Sequence, residues 1–333
     1  MSDPRQTPAM RQFYRFKERH PDCLLLFRMG DFYETFDDDA VTCHKALGLT
    51  LTKRTEGLPM AGVPYHQLEV YLRRLIQQGF RVAVCDQVQD PKDAKGIVER
   101  AVTRVITPGT LVDDALLEDS ASNRLAAVCA AAPSEDGQPR LALAIVEAST
   151  GAFTLLDCAA TALVDVLAAR AVRELMVPDS PEDPTIRKAA EGLGISCTPR
   201  PGWQFRAAEA LEAVTSQYKV ASVGGFGIAE DDPAIPAAGA IIRYLHETQA
   251  TDQPSANTGS SRSAQFRPRA ATLAHLQPPR REDPAGFCVL DAVSLRSLEI
   301  ERTIRSGQLE GSLLGLFVAR GGGGGCRTPM GKR

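Results

Sequence analysis

The chain is 333 residues long, 44% apolar and 24% charged, with a formal net charge of −3. That length suggests two domains and part of a third, and the composition is that of a globular protein rather than a disordered or collagen-like one. The charge balance excludes binding of a polyanion through the overall field of the molecule, so any nucleic-acid contact must come from basic groups that the fold clusters. Eight cysteines are scattered without a CxxC pair, which argues against a zinc site and against a disulfide scaffold. The opening Met1-Ser2-Asp3-Pro4-Arg5 carries no apolar signal region, and no stretch approaches the roughly 20 apolar residues of a membrane span. A cytoplasmic protein without a membrane partner is the expectation.

In chain order, Thr7-Pro8 reads as the N-cap and first-turn proline of a helix that runs to about residue 19 and ends before Pro21. An apolar, strand-like run over 23–28 follows, and then Gly30-Asp31-Phe32-Tyr33-Glu34. Alternate residues of an extended chain share a side, so Phe32 and Glu34 point the same way. Read from the residues alone, Phe32 and Tyr33 are either core aromatics at a strand end or a rim able to stack on a flat partner. A helix near 37–47 opens on three aspartates that suit the positive end of a helix dipole, and it closes at Gly48. Strand-like 49–52 leads to the basic pair Lys53-Arg54 and a loop. A helix over about 66–78 closes at Gly79, and strands are expected at 81–85 and 99–107, the last stopping at Pro108-Gly109.

A second domain begins near 120 with three strand candidates, 123–130, 141–147 and 151–157, the last two joined by a hairpin-like turn. Helix (160–170), strand (174–177), helix (184–192) and strand (195–198) then alternate, which predicts a mixed sheet with helices on its faces. A helix is expected near 233–248. Residues 250–268 hold almost no apolar side chain and are expected to be disordered. A third unit opens at Phe287-Cys288-Val289-Leu290 with a helix through 305, and residues 321–325 are five consecutive glycines.

The stretch from Phe27 to Thr110 resembles the mismatch-recognition domain of the MutS family of DNA mismatch-repair proteins. The matching runs are Phe27-Arg28-Met29-Gly30-Asp31-Phe32-Tyr33-Glu34, Leu51-Thr52-Lys53-Arg54, Pro59-Met60-Ala61-Gly62-Val63-Pro64-Tyr65-His66, Val84-Cys85-Asp86-Gln87-Val88 and Arg104-Val105-Ile106-Thr107-Pro108-Gly109-Thr110. Val223-Gly224-Gly225-Phe226-Gly227 and Ala237-Ala238-Gly239-Ala240 resemble the family's connector, and Leu290-Asp291, Glu299-Ile300 and Thr328-Pro329-Met330-Gly331 resemble the start of its helical core. The resemblance implies an α/β fold in three parts: a mixed-sheet mismatch-recognition domain at 1–115, a ribonuclease-H-like connector at 120–284, and the start of a helical core at 285–333. By match, Phe32 would wedge into the duplex and stack on a mispaired base while Glu34 hydrogen-bonds to it. Lys53, Arg54, Met60, Pro64, Tyr65 and His66 are candidate backbone or groove contacts, set against a solvated basic pair and a plainly packed loop.

The implied partners are double-stranded DNA with mispairs or small loops, a second MutS subunit and a downstream repair protein. Whole family members carry an ATPase with ATP and Mg²⁺, yet this sequence has no GxxxxGK[ST]; around Gly331-Lys332, Cys326 and Arg333 stand where Gly and Ser/Thr are needed. No cofactor, no catalytic residue and no metal site is therefore expected in this chain. Two other readings stand beside DNA binding: a connector fragment that docks repair proteins, and a ribonuclease-H-like nuclease, which would need converging carboxylates.

Overall fold

The computed structural model describes residues 4–54, 57–89, 96–110, 123–180, 183–249, 251–253, 267–269, 273–282, 290, 292–300 and 302–318. The glycine run at 321–325 and the residues around Gly331-Lys332 lie outside them, as does most of 250–268. By contacts the chain divides into two units, Met1–Leu111 with Ile242–His275, and Val112–Ile241 with Leu276–Arg333.

In the first unit, α1 (Pro8–Arg19) starts after Thr7 with Pro8 at its first position, where a proline loses no helical hydrogen bond. Its inner stripe, Met10, Phe13 and Phe16, is buried against one face of a six-stranded sheet. The strands are β1 (Leu24–Met29), β2 (Phe32–Phe36), β3 (Thr52–Lys53), β4 (Pro59–Pro64), β5 (Val82–Gln87) and β6 (Arg100–Ile106), in the order β3-β4-β2-β1-β5-β6. β1 and β5 are parallel and the other neighbours antiparallel. The opposite face is covered by α2 (Asp37–Leu47) and α3 (Leu68–Gln77), whose inner residues include Cys43, Leu47, Leu72 and Leu75. Phe13 stands edge-on to Phe27 and to Phe36, with centroids 5.8 and 5.0 Å apart, a geometry worth about 0.5–1.5 kcal/mol per pair beyond area burial.

Two of the aspartates expected to serve the dipole of α2 act as clips instead. Asp39 accepts from the Leu25 N–H at 3.0 Å and from Lys17 Nζ at 2.8 Å. Asp37 accepts from the Tyr14 hydroxyl at 2.6 Å and from Arg5 at 3.0 Å. Hydrogen bonds between charged partners outweigh a diffuse terminal dipole, so both carboxylates tie α2 back to the first helix and strand.

In the second unit, β7 (Arg124–Ala131), β8 (Arg140–Glu147) and β9 (Ala152–Ala159) form an antiparallel meander. α4 (Leu163–Ala169) leads to β10 (Val172–Pro178), parallel to β7, and α5 (Pro184–Leu193) leads to β11 (Ser196–Arg200), parallel to β10. The order β11-β10-β7-β8-β9 is that of a ribonuclease-H-like sheet, as the second domain was expected to be. Leu163, Leu167, Ile186 and Ala190 of the two helices close one face over Val128, Leu143 and Leu175. α5 begins as its sequence suggests, with the Asp183 carboxylate accepting the Thr185 N–H at 2.8 Å and Gly194 left-handed at the far end.

α6 (Ala207–Tyr218) was not evident from sequence; it buries only Ala210 and Val214, too thin a stripe to read as periodicity. α7 (Ile235–Gln249) follows, and Gly239 on it is a contact point: an added Cβ would lie 2.3 Å from the Cα of Ala210. Beyond it, β12 (Thr251–Gln253) and β13 (Arg267–Arg269) pair antiparallel, so the stretch expected to be disordered carries a short ladder at its ends. Backbone groups need no apolar side chain to pair, which is why composition missed it. By contacts this ladder groups with the first unit.

β14 (Arg280–Arg281) adds parallel to β9. Arg281 bonds Asp157 and, at 2.9 Å, Asp232, while Arg170 grips Glu282 with both its terminal nitrogens. α8 (Ala292–Ser297) and α9 (Gly315–Val318) are short, and the helix expected to continue to 305 stops at Ser297. Val293, Leu298, Leu316 and Phe317 are exposed, so this segment's apolar residues lack a core among the described residues.

Two glycine substitutions should act in opposite directions. Gly239→Ala forces α7 from α6 and should destabilise the second unit by about 1–3 kcal/mol. Gly192→Ala, on α5 with open space around it, should stabilise by about 0.5–1 kcal/mol. Chemical denaturation of both variants against the parent checks the pair.

Candidate nucleic-acid interface

The geometry begins with a turn. Met29 pairs with Phe32, Arg28 with Tyr33 and Phe27 with Glu34, so Gly30 and Asp31 form a two-residue hairpin. Gly30 takes φ +60° while Asp31 is absent from the positive-φ residues, the pattern of a type II′ turn with glycine first. The sequence reading treated 30–34 as a rim after a strand; the structure makes 32–36 a strand in its own right. The Gly-Asp pair between two apolar runs is the signal that could have revealed this.

The register then sorts the side chains. Tyr33 and Thr35 are buried on the α2/α3 face, whereas Phe32 and Glu34 share the face that α1 covers further along. Phe36, on that same side, lies in the aromatic core. Phe32 is beyond the core and remains 47% exposed. The opening alternative thus resolves residue by residue: Tyr33 packs and Phe32 does not.

Glu34 is half-buried beside Phe32, and its carboxylate accepts from Arg54 at 3.0 Å. Arg54 also lies over the Phe36 ring, 5.6 Å from its centroid. Behind them Arg100 is almost wholly buried; its guanidinium donates to the Arg28 carbonyl at 2.7 Å and the Val98 carbonyl at 2.8 Å, and stacks 4.8 Å from the Phe27 ring. A buried guanidinium needs such partners to offset its lost hydration. Burial raises the pKa of Glu34 above the usual carboxylate range, and the positive charges of Arg54 and then Arg100 oppose that shift. Burial in turn lowers the pKa of Arg100.

On the other face, Arg28 lies between two rings, 4.2 Å from the Tyr65 centroid and 5.2 Å from that of Tyr33. The Tyr33 hydroxyl bonds Asp86, which Thr103 also bonds. Burial and that hydrogen bond push the Tyr33 pKa up to about 12. Tyr65 is 47% exposed, receives His66 edge-on, and donates its N–H to the Asp31 carbonyl at 2.9 Å. The β4–α3 junction is thereby strapped to the tip of the hairpin.

The remaining candidates sit as follows. Met60 and Pro64 belong to β4, opposite Phe36 and Phe32, rather than to a loop. Pairing with β2 holds them there, and the prolines fall at the strand's two ends, where a missing N–H is tolerated. Lys53 is exposed on the short edge strand β3 and makes no ion pair among the described residues. Arg54 is spent on Glu34 rather than free. Sequence reasoning missed Arg28, Arg100 and Asp86 as parts of this end of the sheet. Arg28 follows from the hairpin pairing once that is recognised; nothing local singles out Arg100, which arrives from a distant strand.

Elsewhere, a cleft of about 640 Å³ lies in the second unit between α5 and the ends of β7, β10 and β11, lined by Val128, Leu141, Ile186, Cys197 and Pro199 among others. It is remote in sequence from the hairpin, and a base-reading surface protrudes rather than caves in, so we place the candidate interface at Phe32. Among the described residues no group of three or more His, Cys, Asp or Glu could hold a metal ion, and no helix is long and apolar enough to cross a membrane. The β-sheet carboxylates that a nuclease would gather are engaged separately: Glu174 with Thr198 at 2.7 Å, Asp157 with Arg281 and Arg140.

Comparison with known proteins agrees with this layout. The family model for MutS domain I matches residues 7–115 and that for MutS domain II matches 123–258. The DNA mismatch repair protein MutS of Symbiobacterium thermophilum is 37% identical over 324 residues, covering 94% of this chain and 34% of that protein. Those of Myxococcus xanthus and Rhodopirellula baltica are each 39% identical, covering 93% and 98% of this chain and 33% and 36% of theirs. The chain spans about a third of the length of the curated relatives it matches.

The two neighbouring phenylalanines on one strand face should separate cleanly in stability. Phe36→Ala empties the aromatic core and should cost about 3–5 kcal/mol. Phe32→Ala removes a ring that is already half in water and should cost well under half as much, measured by the same denaturation curve.

Proposed function

The chain belongs to the MutS family, and on that premise we propose that it binds mispaired duplex DNA, with Phe32 as a wedge and Glu34 as the polar probe beside it. The observation that carries this reading is a large aromatic ring left 47% exposed at the lip of a hairpin, next to the buried Tyr33 and with a carboxylate on its own face. An apolar wedge that enters from the minor groove unstacks a base step and kinks the duplex, at a cost of a few kcal/mol. A mispair has already lost part of its pairing and stacking, so the same deformation costs less there. Selectivity then follows from deformability, and the π-face of Phe32 tolerates any base.

Glu34 adds discrimination. A carboxylate near phosphates is repulsive on a fully paired duplex, whose base edges are consumed in pairing, but a mispaired base offers it a hydrogen-bond partner. Lys53 and the loop at Tyr65-His66 supply candidate backbone contacts, with Met60 and Pro64 forming the strand beneath. On the family reading, ATP and Mg²⁺ act in the whole protein. For the whole protein, the family reading implies a second MutS subunit and a downstream repair protein as partners.

The test is direct binding of this chain to matched duplexes with and without a single mispair. Affinity should be weak and strongly salt-dependent, since one small domain makes few phosphate contacts, and should favour the mispair. Phe32→Ala should abolish the preference while leaving affinity for paired duplex within a few-fold of the parent. Equal affinity of the unmutated chain for both duplexes would sink the reading.

A further inference from the structure

Arg54 stands where a phosphate contact was expected, yet its guanidinium is occupied from within. It donates to Glu34 at 3.0 Å and rests on the Phe36 ring, so a salt bridge, an aromatic face and the end of β3 all hold it in one pose. The side chain of Glu34 is only 19% exposed while that of Arg54 is 32% exposed, so solvent screens the pair less than it screens ion pairs on the open surface. Gly62 sits directly across from Glu34 and leaves the carboxylate room to lie over β4 toward Arg54.

We propose that Arg54 is the positioning residue for Glu34: it holds the carboxylate in a fixed, charge-compensated pose beside Phe32, and so sets how strongly this end of the sheet discriminates mispaired from paired duplex. The inference rests on the DNA-reading proposal above and deepens it. The charged groups that act on Glu34 are Arg54, from the turn after β3, and the buried Arg100, from β6. α1 brings Gln12, a neutral group, to Arg100 at 3.5 Å. Burial already pushes Glu34 toward its protonated form, so losing the nearer cation pushes it further the same way. A protonated Glu34 no longer repels phosphates. Paired duplex, which offers the carboxyl no partner, would then gain affinity as pH falls, while mispaired duplex, which offers one in either state, would change less.

The experiment uses the 333-residue chain with Arg54→Gln and Arg54→Lys. First, without DNA, the Glu34 carboxyl is titrated by carbon NMR: it should titrate at higher pH in Arg54→Gln than in the parent, and Arg54→Lys should restore most of the difference. Second, the preference for a mispaired over a paired duplex is measured from about pH 8 to about pH 6. It should fall several-fold in Arg54→Gln, through tighter binding of paired duplex, and stay level in the parent and in Arg54→Lys. In a Glu34→Gln background the Arg54→Gln change should have no further effect on preference, which keeps the idea testable if the single variant is unstable.

An unmoved Glu34 titration would overturn the proposal. So would equal weakening of both duplexes with a salt slope smaller by about 1, the mark of a phosphate contact. A parent chain with no mispair preference would sink the reading of the previous subsection instead, and the DNA-free titration alone would still decide whether Arg54 positions Glu34.

Discussion

The pairing register of β2 is the constraint on which the rest depends. Side chains alternate across a strand, so a slip of one residue against β1 would turn Phe32 and Glu34 inward and bring Tyr33 to the surface. The register is fixed from both sides: by the Gly30-Asp31 turn to β1, and by the ladder that sets Phe32 opposite Pro64 and Glu34 opposite Gly62. The Tyr65 N–H bond to the Asp31 carbonyl then ties the far strand to the turn itself. These contacts leave the Phe32 backbone little freedom.

The aromatic residues divide the labour along one face. Phe13, Phe16, Phe27 and Phe36 form a buried cluster beneath α1, where edge-on rings and close packing stabilise the unit. Beyond the cluster the same face carries Glu34 and ends at the half-exposed Phe32. There Arg100 and Arg54 lie against Phe27 and Phe36, so the core rings serve the site as platforms for its cations. The charges at this end compensate one another, which is why net charge conveys so little. What binding would respond to is a local arrangement in which Lys53 stands open and Arg54 is engaged.

In the second unit, fold and chemistry part company. Its strand order suits a ribonuclease-H-like sheet, yet fold alone confers no activity. The carboxylates on and around that sheet are distributed into ion pairs that fasten structure: Asp157 and Asp232 hold Arg281, and Glu282 holds Arg170. Removing one partner of such a pair would loosen the segment around β14. Small residues do comparable work on the helices, where Gly239 allows α7 to touch the backbone of α6.

Much of this architecture was legible in the chain itself. Proline and aspartate at helix starts, glycine at helix ends and apolar runs between them placed most helices and strands within a few residues, because capping and burial are local demands. Family words singled out Phe32 and Glu34 as candidates for reading a base. Other features were not legible. α6 buries too few residues to show a period, and the ladder at 251–253 and 267–269 is made of backbone bonds that composition cannot report. The sequence by itself determined the family, the order of most elements and which residues are candidates to meet a base. Only the tertiary structure decided that Phe32 is left in solvent while Tyr33 and Phe36 are not, and that Glu34 meets Arg54 and Arg100, because strand register and the meeting of residues 20 and 66 positions apart are set by sheet pairing, not by neighbours in the chain.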